Sequence, residues 1–431
     1  MPETKKLSLE PYKGTRDFYP EDQFVQEYIF RVWRRVVESY GYLEYAASLL
    51  EETELYKAKS GEEIINEQTY SFTDRGGREV TIRPEMTPTV ARMVAQKRKE
   101  LSFPLRWYSI PNLFRYERPQ RGRLREHWQL NVDMFGVESV EADLELISIA
   151  YDIMKAFGAK DGQFEIRLNS RKLLNATARI HNLSSEQEYR LTKLLDKAEK
   201  ITPAAFAEKL VEICGSPDKA RLVDRLIKTT TLAELDEEFK KDDGVRQLTQ
   251  VYQRLLDKGI SNVKFKYTLA RGLDYYTGVV FEMYDTNPKN PRALFGGGRY
   301  DDLVGIFGVD KVPGVGFGWG DVTTRDFLET YNLLPAYRPT TDLYICHLEG
   351  CLPAAGELAT KLRREGLRVG VDLTDRKVSA QVKSADRQKI PYVLVVGEEE
   401  VRSGKYKLKE LASGNEQEAA AEQLAGIILK Q

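Results

Sequence analysis

Two short alternating runs separated by a loop full of arginine restrict the fold of this chain more than any other feature. In Phe114-Arg115-Tyr116-Glu117 the strand period of two puts Arg115 and Glu117 on one face, and in His127-Trp-Gln-Leu-Asn-Val-Asp133 it does the same for Gln129, Asn131 and Asp133. Strands so patterned pair as a hairpin and pool these groups into one polar floor. Five arginines fall in the eleven positions from Arg115 to Arg125, with no acidic residue between 118 and 125. Such a cluster calls for an anionic partner, since guanidinium forks match phosphate oxygens in pairs and a carboxylate accepts from amino groups. The plainer alternative is a solvated hairpin whose charges only face water.

The rest of the chain sets limits on that reading. At 431 residues, 42% hydrophobic and 30% charged, it has room for about two to four domains and a large core. No apolar run approaches the length of a membrane span, and the N-terminus MPETKKLSLEPY has no apolar signal core, so a cytoplasmic protein without a membrane segment is expected. Cys214, Cys346 and Cys351 lack paired spacing, which argues against a disulfide framework or a zinc site. A net charge of -1 argues against a uniformly basic nucleic-acid binder, yet residues 361–390 hold nine Lys or Arg against four Asp or Glu.

Periodicity predicts a helix over 23–40, strands over 78–83, 105–117 and 126–135, and a helix from Glu141. From about 171 to 260 the chain reads as short charged helices, with start signals at Ser185 followed by Glu188 and at Thr202 before Pro203. Strands return at Phe265 and over 279–284, so an α+β core is split by a helical insertion. Residues 331–340 read as a linker. Beyond it, strand and helix alternate over 343–346, 353–365, 367–371, 378–388 and 392–396, the pattern of a small α/β domain.

Three further stretches bear on chemistry. Arg271-Gly-Leu-Asp-Tyr-Tyr-Thr-Gly278 joins a cation, a carboxylate and two phenols, and its tyrosines point to opposite sides if extended. Gly296-Gly-Gly-Arg-Tyr-Asp301 reads as a flexible loop carrying Arg299 and Tyr300. In Gly314-Val-Gly-Phe-Gly-Trp-Gly320 four glycines share one strand face, a bare surface on which a flat group or another backbone can lie. With neither a P-loop nor a strand-following G-x-G-x-x-G fingerprint, side chains must hold any phosphate.

Together these residues resemble the class II histidyl-tRNA synthetases over nearly the whole chain. The likeness runs from Gly14-Thr-Arg-Asp-Phe and Arg83-Pro-Glu-Met-Thr87 through the arginine hairpin (motif 2) and RGLDYYTG to the C-terminal α/β domain. It implies an antiparallel class II catalytic sheet of about six strands over 1–170 and 261–328, an insertion over 171–260, and an anticodon-binding α/β domain over 340–431. It also implies a homodimer that joins L-histidine and ATP, with Mg2+ expected, into histidyl-adenylate and then charges tRNA(His).

By that resemblance Arg115 holds the α-phosphate, Glu117 the adenine amino group and Arg123 the other ATP phosphates. Arg271 is the cation beside the α-phosphate and the histidine carboxylate, so Arg271 and Arg115 are the catalytic pair, stabilising charge without a side-chain nucleophile. Glu85, Thr87 and Gln129 match positions that hold the α-amino group, Asp133 and Tyr276 those that read the imidazole, and Tyr275 and Tyr300 complete the pocket. A carboxylate and a phenol can read the donor and acceptor of a neutral imidazole. Arg118, Gln120 and Arg121 would meet the tRNA acceptor end, and Lys377 and Lys383 the anticodon stem. No metal ligand is assigned.

Two positions depart from the family pattern. Gly320-Asp-Val-Thr323 stands where motif 3 ordinarily ends Gly-Leu-Glu-Arg, so Thr323 replaces the arginine that would grip the γ-phosphate, with Arg325 two residues on. Asp133 stands where some members carry glutamate. A lost arginine is what a non-catalytic paralogue, the regulatory subunit of ATP phosphoribosyltransferase, would show. The retained Arg115, Glu117, Gln129 and Arg271 oppose that reading, and RGLDYYTG opposes a proline or threonine enzyme.

Overall fold

The computed structural model describes residues 7–57, 68–198, 201–270 and 275–430. The chain divides into two compact units, one holding the residues up to Asp17 with Gln26–Leu334, the other Phe18–Val25 with the residues from Pro335.

The first unit is built on a nine-stranded sheet. From edge to edge run Leu43–Glu44, Leu105–Ser109, Glu126–Phe135, Gly314–Gly320, Ala293–Arg299, Val279–Asp285, Phe164–Ser170 and Val263–Phe265, with Asn112–Phe114 paired beside Glu126–Phe135. The six inner strands of that path are antiparallel and the two edge strands are parallel to their neighbours. The α+β core with an antiparallel sheet is therefore present, widened at both edges. A three-stranded sheet of Leu50–Glu52, Glu79–Ile82 and Tyr70–Thr73 lies beside it in sequence.

One face of the large sheet is covered by apolar helix stripes. The helix Glu141–Ala156 buries Leu144, Ile147, Ile153 and Met154, and the helix Pro20–Ser39 buries Ile29, Trp33 and Val37. Trp319 lies against Trp33 and Phe157 and stacks on Phe295 at 3.8 Å. Each such fully buried side chain contributes about 1.5–3 kcal/mol, which fixes the face that Val315, Phe317 and Trp319 share. The glycines of the same strand are thereby turned to the other face.

Two expectations for this unit are corrected. The stretch 105–117 is not one strand, because Pro111, without an N–H, breaks it into Leu105–Ser109 and Asn112–Phe114. Arg115 and Glu117 lie past the strand end, although the Arg115 N–H still donates to the Arg125 carbonyl at 2.8 Å. Gly296–Arg299 is not a flexible loop but part of a central strand. A methyl group on Gly298 would stand 2.7 Å from the Val279 carbonyl and 2.9 Å from the Tyr276 ring, so these glycines serve close packing.

Between Phe164–Ser170 and Val263–Phe265 run the helices Arg171–Ile180, Ser185–Asp196, Pro203–Cys214, Pro217–Ile227, Glu237–Lys240 and Asp243–Asp257. Thr202 caps its helix as expected, accepting from the Ala205 N–H. The capping box falls one residue before the expected Ser185, with Ser184 and Gln187 bonded reciprocally.

In the second unit a five-stranded sheet runs Val369–Val371, Leu343–His347, Tyr392–Val396, Lys405–Glu410, Glu416–Ala420. Its first three strands are parallel, with the helices Leu352–Arg364 and Val378–Arg387 as crossovers. The last two strands and the helix Ala421–Leu429 extend the predicted alternation. Lys405 and Glu418, and Lys409 and Glu416, pair across that final hairpin, leaving Leu408 to the core.

Candidate active site

A cavity of about 1110 Å³ opens over the bare face of Gly314–Gly320. Its first wall is set by Arg83, which is buried and donates to the carbonyls of Ala47, Ser48 and Asn112 at 2.8, 3.2 and 3.1 Å. With Arg83 fixed, the Pro84 carbonyl accepts from Arg115 Nε at 2.8 Å, Glu85 turns inward, and Thr87 opens the helix Thr87–Lys97.

The arginine loop supplies the second wall. Gln120 and Arg123 exchange backbone hydrogen bonds at 2.9 Å around Gly122, whose φ of 74° suits a residue without Cβ. Most of its arginines have protein partners, which corrects the expectation that all five need an anion. Arg125 is buried over the Tyr116 ring at 4.0 Å and donates to Tyr12 Oη and the Glu117 carbonyl. Arg121 donates to Asn290 Oδ1 at 2.8 Å, and Arg123 pairs with Glu117 at 3.1 Å. Arg118 is exposed and has no partner among the described residues.

The floor holds the sharpest chemistry. Asp133 is 3% exposed, and its Oδ1 accepts from Tyr300 Oη. Its Oδ2 is buried and meets no hydrogen-bond partner among the described residues. Burial pushes this carboxyl up to about 7, with the Tyr300 hydrogen bond pulling the other way. The Tyr300 phenol is itself driven well above its ordinary range by burial and by the adjacent carboxylate, so it stays a donor. A methyl group on Gly316 would overlap the Asp133 carboxylate and stand 2.6 Å from Tyr300 Oη, and one on Gly318 would stand 2.8 Å from the Gln129 amide carbon. Bare glycine is what lets these side chains reach the floor.

Glu85, Thr87, Arg115, Glu117, Arg123, Gln129, Tyr275, Tyr276 and Tyr300 all line the cavity, so one space gathers these predicted groups. Asp133 lies directly beneath Gly316 rather than on the wall. Tyr275 and Tyr276 do not point apart: their rings meet at 4.9 Å, and Tyr275 Oη donates to Glu85 at 3.2 Å. Arg271 lies outside the described residues, while Ala270 and Tyr275 on either side of that segment both line the cavity. Arg299 is a structural anchor, buried against Asp143 and donating to the Val137 and Ser139 carbonyls at 2.9 Å.

Sequence reasoning missed part of the wall. Arg167, Glu282 and Tyr284 line the cavity, with the Arg167 guanidinium 3.6 Å over the Tyr284 ring. The alternation in Val279–Asp285 and Phe164–Ser170 carried that signal, as register pairs Glu282 with Arg167. Arg292 was missed as well. The exposed Gln120 and Arg121 instead border a smaller cavity with Asn290 and Asp326. In the second unit Lys377 and Lys383 are both exposed, Lys377 at the non-helical residue that precedes the helix Val378–Arg387 and Lys383 within that helix. Among the described residues no three His, Cys, Asp or Glu side chains gather as metal ligands would, and no helix is long and apolar enough to cross a membrane.

A family sequence model described as histidyl-tRNA synthetase matches residues 14–320, and one described as anticodon binding domain matches 342–431. The chain belongs to the histidyl-tRNA synthetase family. It is 43% identical over 416 residues to a histidine–tRNA ligase of Leptospira biflexa, covering 96% of this chain and 95% of that one. The crystal structure of histidyl-tRNA synthetase from Nostoc sp. PCC 7120 superposes with a TM-score of 0.83 at 25% identity over 99% of this chain and all of that one. A Bacillus halodurans structure described as ATP phosphoribosyltransferase regulatory subunit/histidyl-tRNA synthetase follows at TM-score 0.74 and 25% identity, covering 91% of this chain and 99% of that one. Family membership accounts for the class II sheet and the anticodon-binding unit together.

Proposed function

We propose that the chain activates L-histidine with ATP and transfers the histidyl group to tRNA(His). A histidine carboxylate oxygen attacks the α-phosphorus, pyrophosphate leaves with the electron pair of the broken P–O bond, and a terminal tRNA hydroxyl then displaces AMP from the carbonyl carbon. The observation that carries the reading is Asp133. A buried carboxylate with one oxygen held by Tyr300 and the other unpartnered suits a ligand that brings an N–H, and an imidazole brings one beside an acceptor that a phenol can meet. Family membership and identity to a histidine–tRNA ligase along nearly the whole chain support the same reaction over the regulatory paralogue.

In this reading Glu85, Thr87 and Gln129 hold the α-amino group, Tyr276 answers the second ring nitrogen, and Tyr275 and Tyr300 keep Glu85 and Asp133 aimed. Arg115 and Arg271 bear the charge that grows on the α-phosphate, Glu117 takes the adenine amino group, and Arg123 takes the phosphate tail, with Mg2+ entering as the counter-ion of ATP. We assign 1–170 and 261–328 to catalysis, 171–260 to the insertion and 340–431 to the anticodon. Arg118, Gln120 and Arg121 contact the acceptor end and Lys377 and Lys383 the stem, in a cytoplasmic homodimer. The test is amino-acid-dependent exchange of pyrophosphate into ATP with histidine, proline, threonine and glycine. Histidine alone should support exchange. Exchange with another amino acid, or with none in folded protein, overturns the reading.

A further inference from the structure

Threonine at position 323 brings no charge to its end of the cavity. Thr323 Oγ1 is committed, donating to the Leu294 and Gly320 carbonyls at 2.7 and 3.1 Å. The segment Asp321–Thr330 is helical, so Arg325 projects about 200° around the axis from Thr323. There it pairs with Glu329 at 2.8 Å and does not line the cavity. At the same end stands Arg292. It borders both the large cavity and the smaller one behind it, as do Gly122 and Thr323, and among the described residues it makes no hydrogen bond or ion pair.

The loop that carries Arg292 is held firmly. Asn290 is buried, donates to Asp285 Oδ2 at 2.6 Å and to Thr330 Oγ1 at 3.1 Å, and accepts from Arg121 at 2.8 Å. Tyr331 Oη adds a hydrogen bond to the other Asp285 oxygen at 2.7 Å. The ordered loop fixes the backbone from which the guanidinium reaches, and the planar fork loses little freedom per bond it makes. Its electrostatic surroundings are unfavourable: burial and the nearby Arg123 both disfavour its charge, while Glu117, the carboxylate that eases it, is paired with Arg123. Two guanidinium groups at one cavity end, sharing a single carboxylate, fit a polyanion between them.

Resting on the reading of this cavity as the ATP site, we propose that Arg292 is the cation that holds the terminal phosphates of ATP, in place of an arginine at position 323. The charge comes from the turn before the strand Ala293–Arg299 rather than from the start of the helix Asp321–Thr330, and converges on the same end of the cavity.

Full-length Arg292→Ala, Arg292→Lys and Arg325→Ala proteins test this. Measured quantities are KM for ATP and for histidine in pyrophosphate exchange, and equilibrium binding of ATP and of AMP without histidine. Arg292→Ala should weaken ATP about 10–100-fold, the scale of a charge-assisted hydrogen bond in a cavity, and leave AMP and histidine near wild type. Arg292→Lys should recover part of the loss, since it keeps the charge without the fork, and Arg325→Ala should match wild type. Unchanged ATP affinity in Arg292→Ala, an equal loss for AMP, or the same ATP-selective loss in Arg325→Ala overturns the proposal. Wild-type protein without histidine-dependent exchange would overturn the functional reading instead, and the contrast between ATP and AMP binding would still judge Arg292.

Discussion

The two ends of the cavity are built on opposite principles. At the floor, polar groups are buried and already bonded to one another, Tyr300 to Asp133 and Tyr275 to Glu85. At the mouth the charges are exposed or loosely matched: Arg123 keeps 47% of its side chain in solvent while paired with Glu117, and Arg118 and Arg292 make no hydrogen bond or ion pair among the described residues. A buried, half-satisfied set rejects a ligand that leaves its atoms unpaired, whereas an open cluster of cations attracts any polyphosphate and discriminates little. In the proposed reading, selection belongs to the floor and charge handling to the mouth.

The largest effect should come from the cation that the family resemblance assigns to both the α-phosphate and the histidine carboxylate. Arg271→Ala should lower adenylate formation about 10²–10³-fold, the range for removing one preorganised charge-stabilising group, and change histidine affinity far less. Single-turnover adenylate formation beside equilibrium histidine binding checks this. Equal losses would mean that the two ends are not separable. Next comes the bare strand. Gly316→Ala should cost about 100-fold in kcat/KM for histidine, because its methyl group displaces Asp133 and Tyr300 and small misplacements cost that much. Wild-type kinetics in that variant would show that the floor does not depend on its glycines.

Asp133→Asn should weaken histidine by about tenfold and also change the pH profile. With the carboxyl held up to about 7, acid returns its proton and removes the acceptor, so kcat/KM for histidine should fall below about pH 7 in the wild type. In the Asp133→Asn protein only the break of free histidine itself should remain. The sign for folding is opposite: the native state binds this proton more tightly than the unfolded chain. Stability is therefore lost as pH rises from the ordinary carboxylate range to about 7, and the same variant should lack that slope in denaturant titrations. The smallest expected effect is ionic. Raising salt from about 0.05 to 0.5 M should raise KM for ATP a few-fold and leave KM for histidine flat, because only the mouth is exposed enough to be screened. Parallel rises would erase the distinction.

Local pattern carried much of this arrangement. Period-two spacing placed Gln129 and Asp133 on one face and bared the glycines of 314–320, because strand geometry is a property of near neighbours. It was silent on partners distant in sequence. Tyr275 reaches Glu85 across 190 positions and Tyr300 reaches Asp133 across 167, contacts decided by how distant segments meet in the fold. The same limit exchanged two arginines. Arg299 stood out in a glycine motif and proved to be an anchor for Asp143, while Arg292, in no motif, lines the cavity. In the second unit the alternation Lys405-Tyr-Lys-Leu-Lys409 was present in the sequence, but its charge hid a strand that is paired on both sides.

The place of Gly314–Gly320 between Glu126–Phe135 and Ala293–Arg299 has a consequence for synthesis. A chain emerging from its N-terminus at about 5–20 residues per second delivers that strand roughly 10–40 s after Phe135. Through that interval the edge of Glu126–Phe135 that will pair with it is open, and a strand with an open edge is a template for the wrong neighbour. Gln129 and Asp133 therefore have no floor to share until residue 320 has left the ribosome, and every nascent chain passes through a stage in which half of its binding site is an unpaired edge.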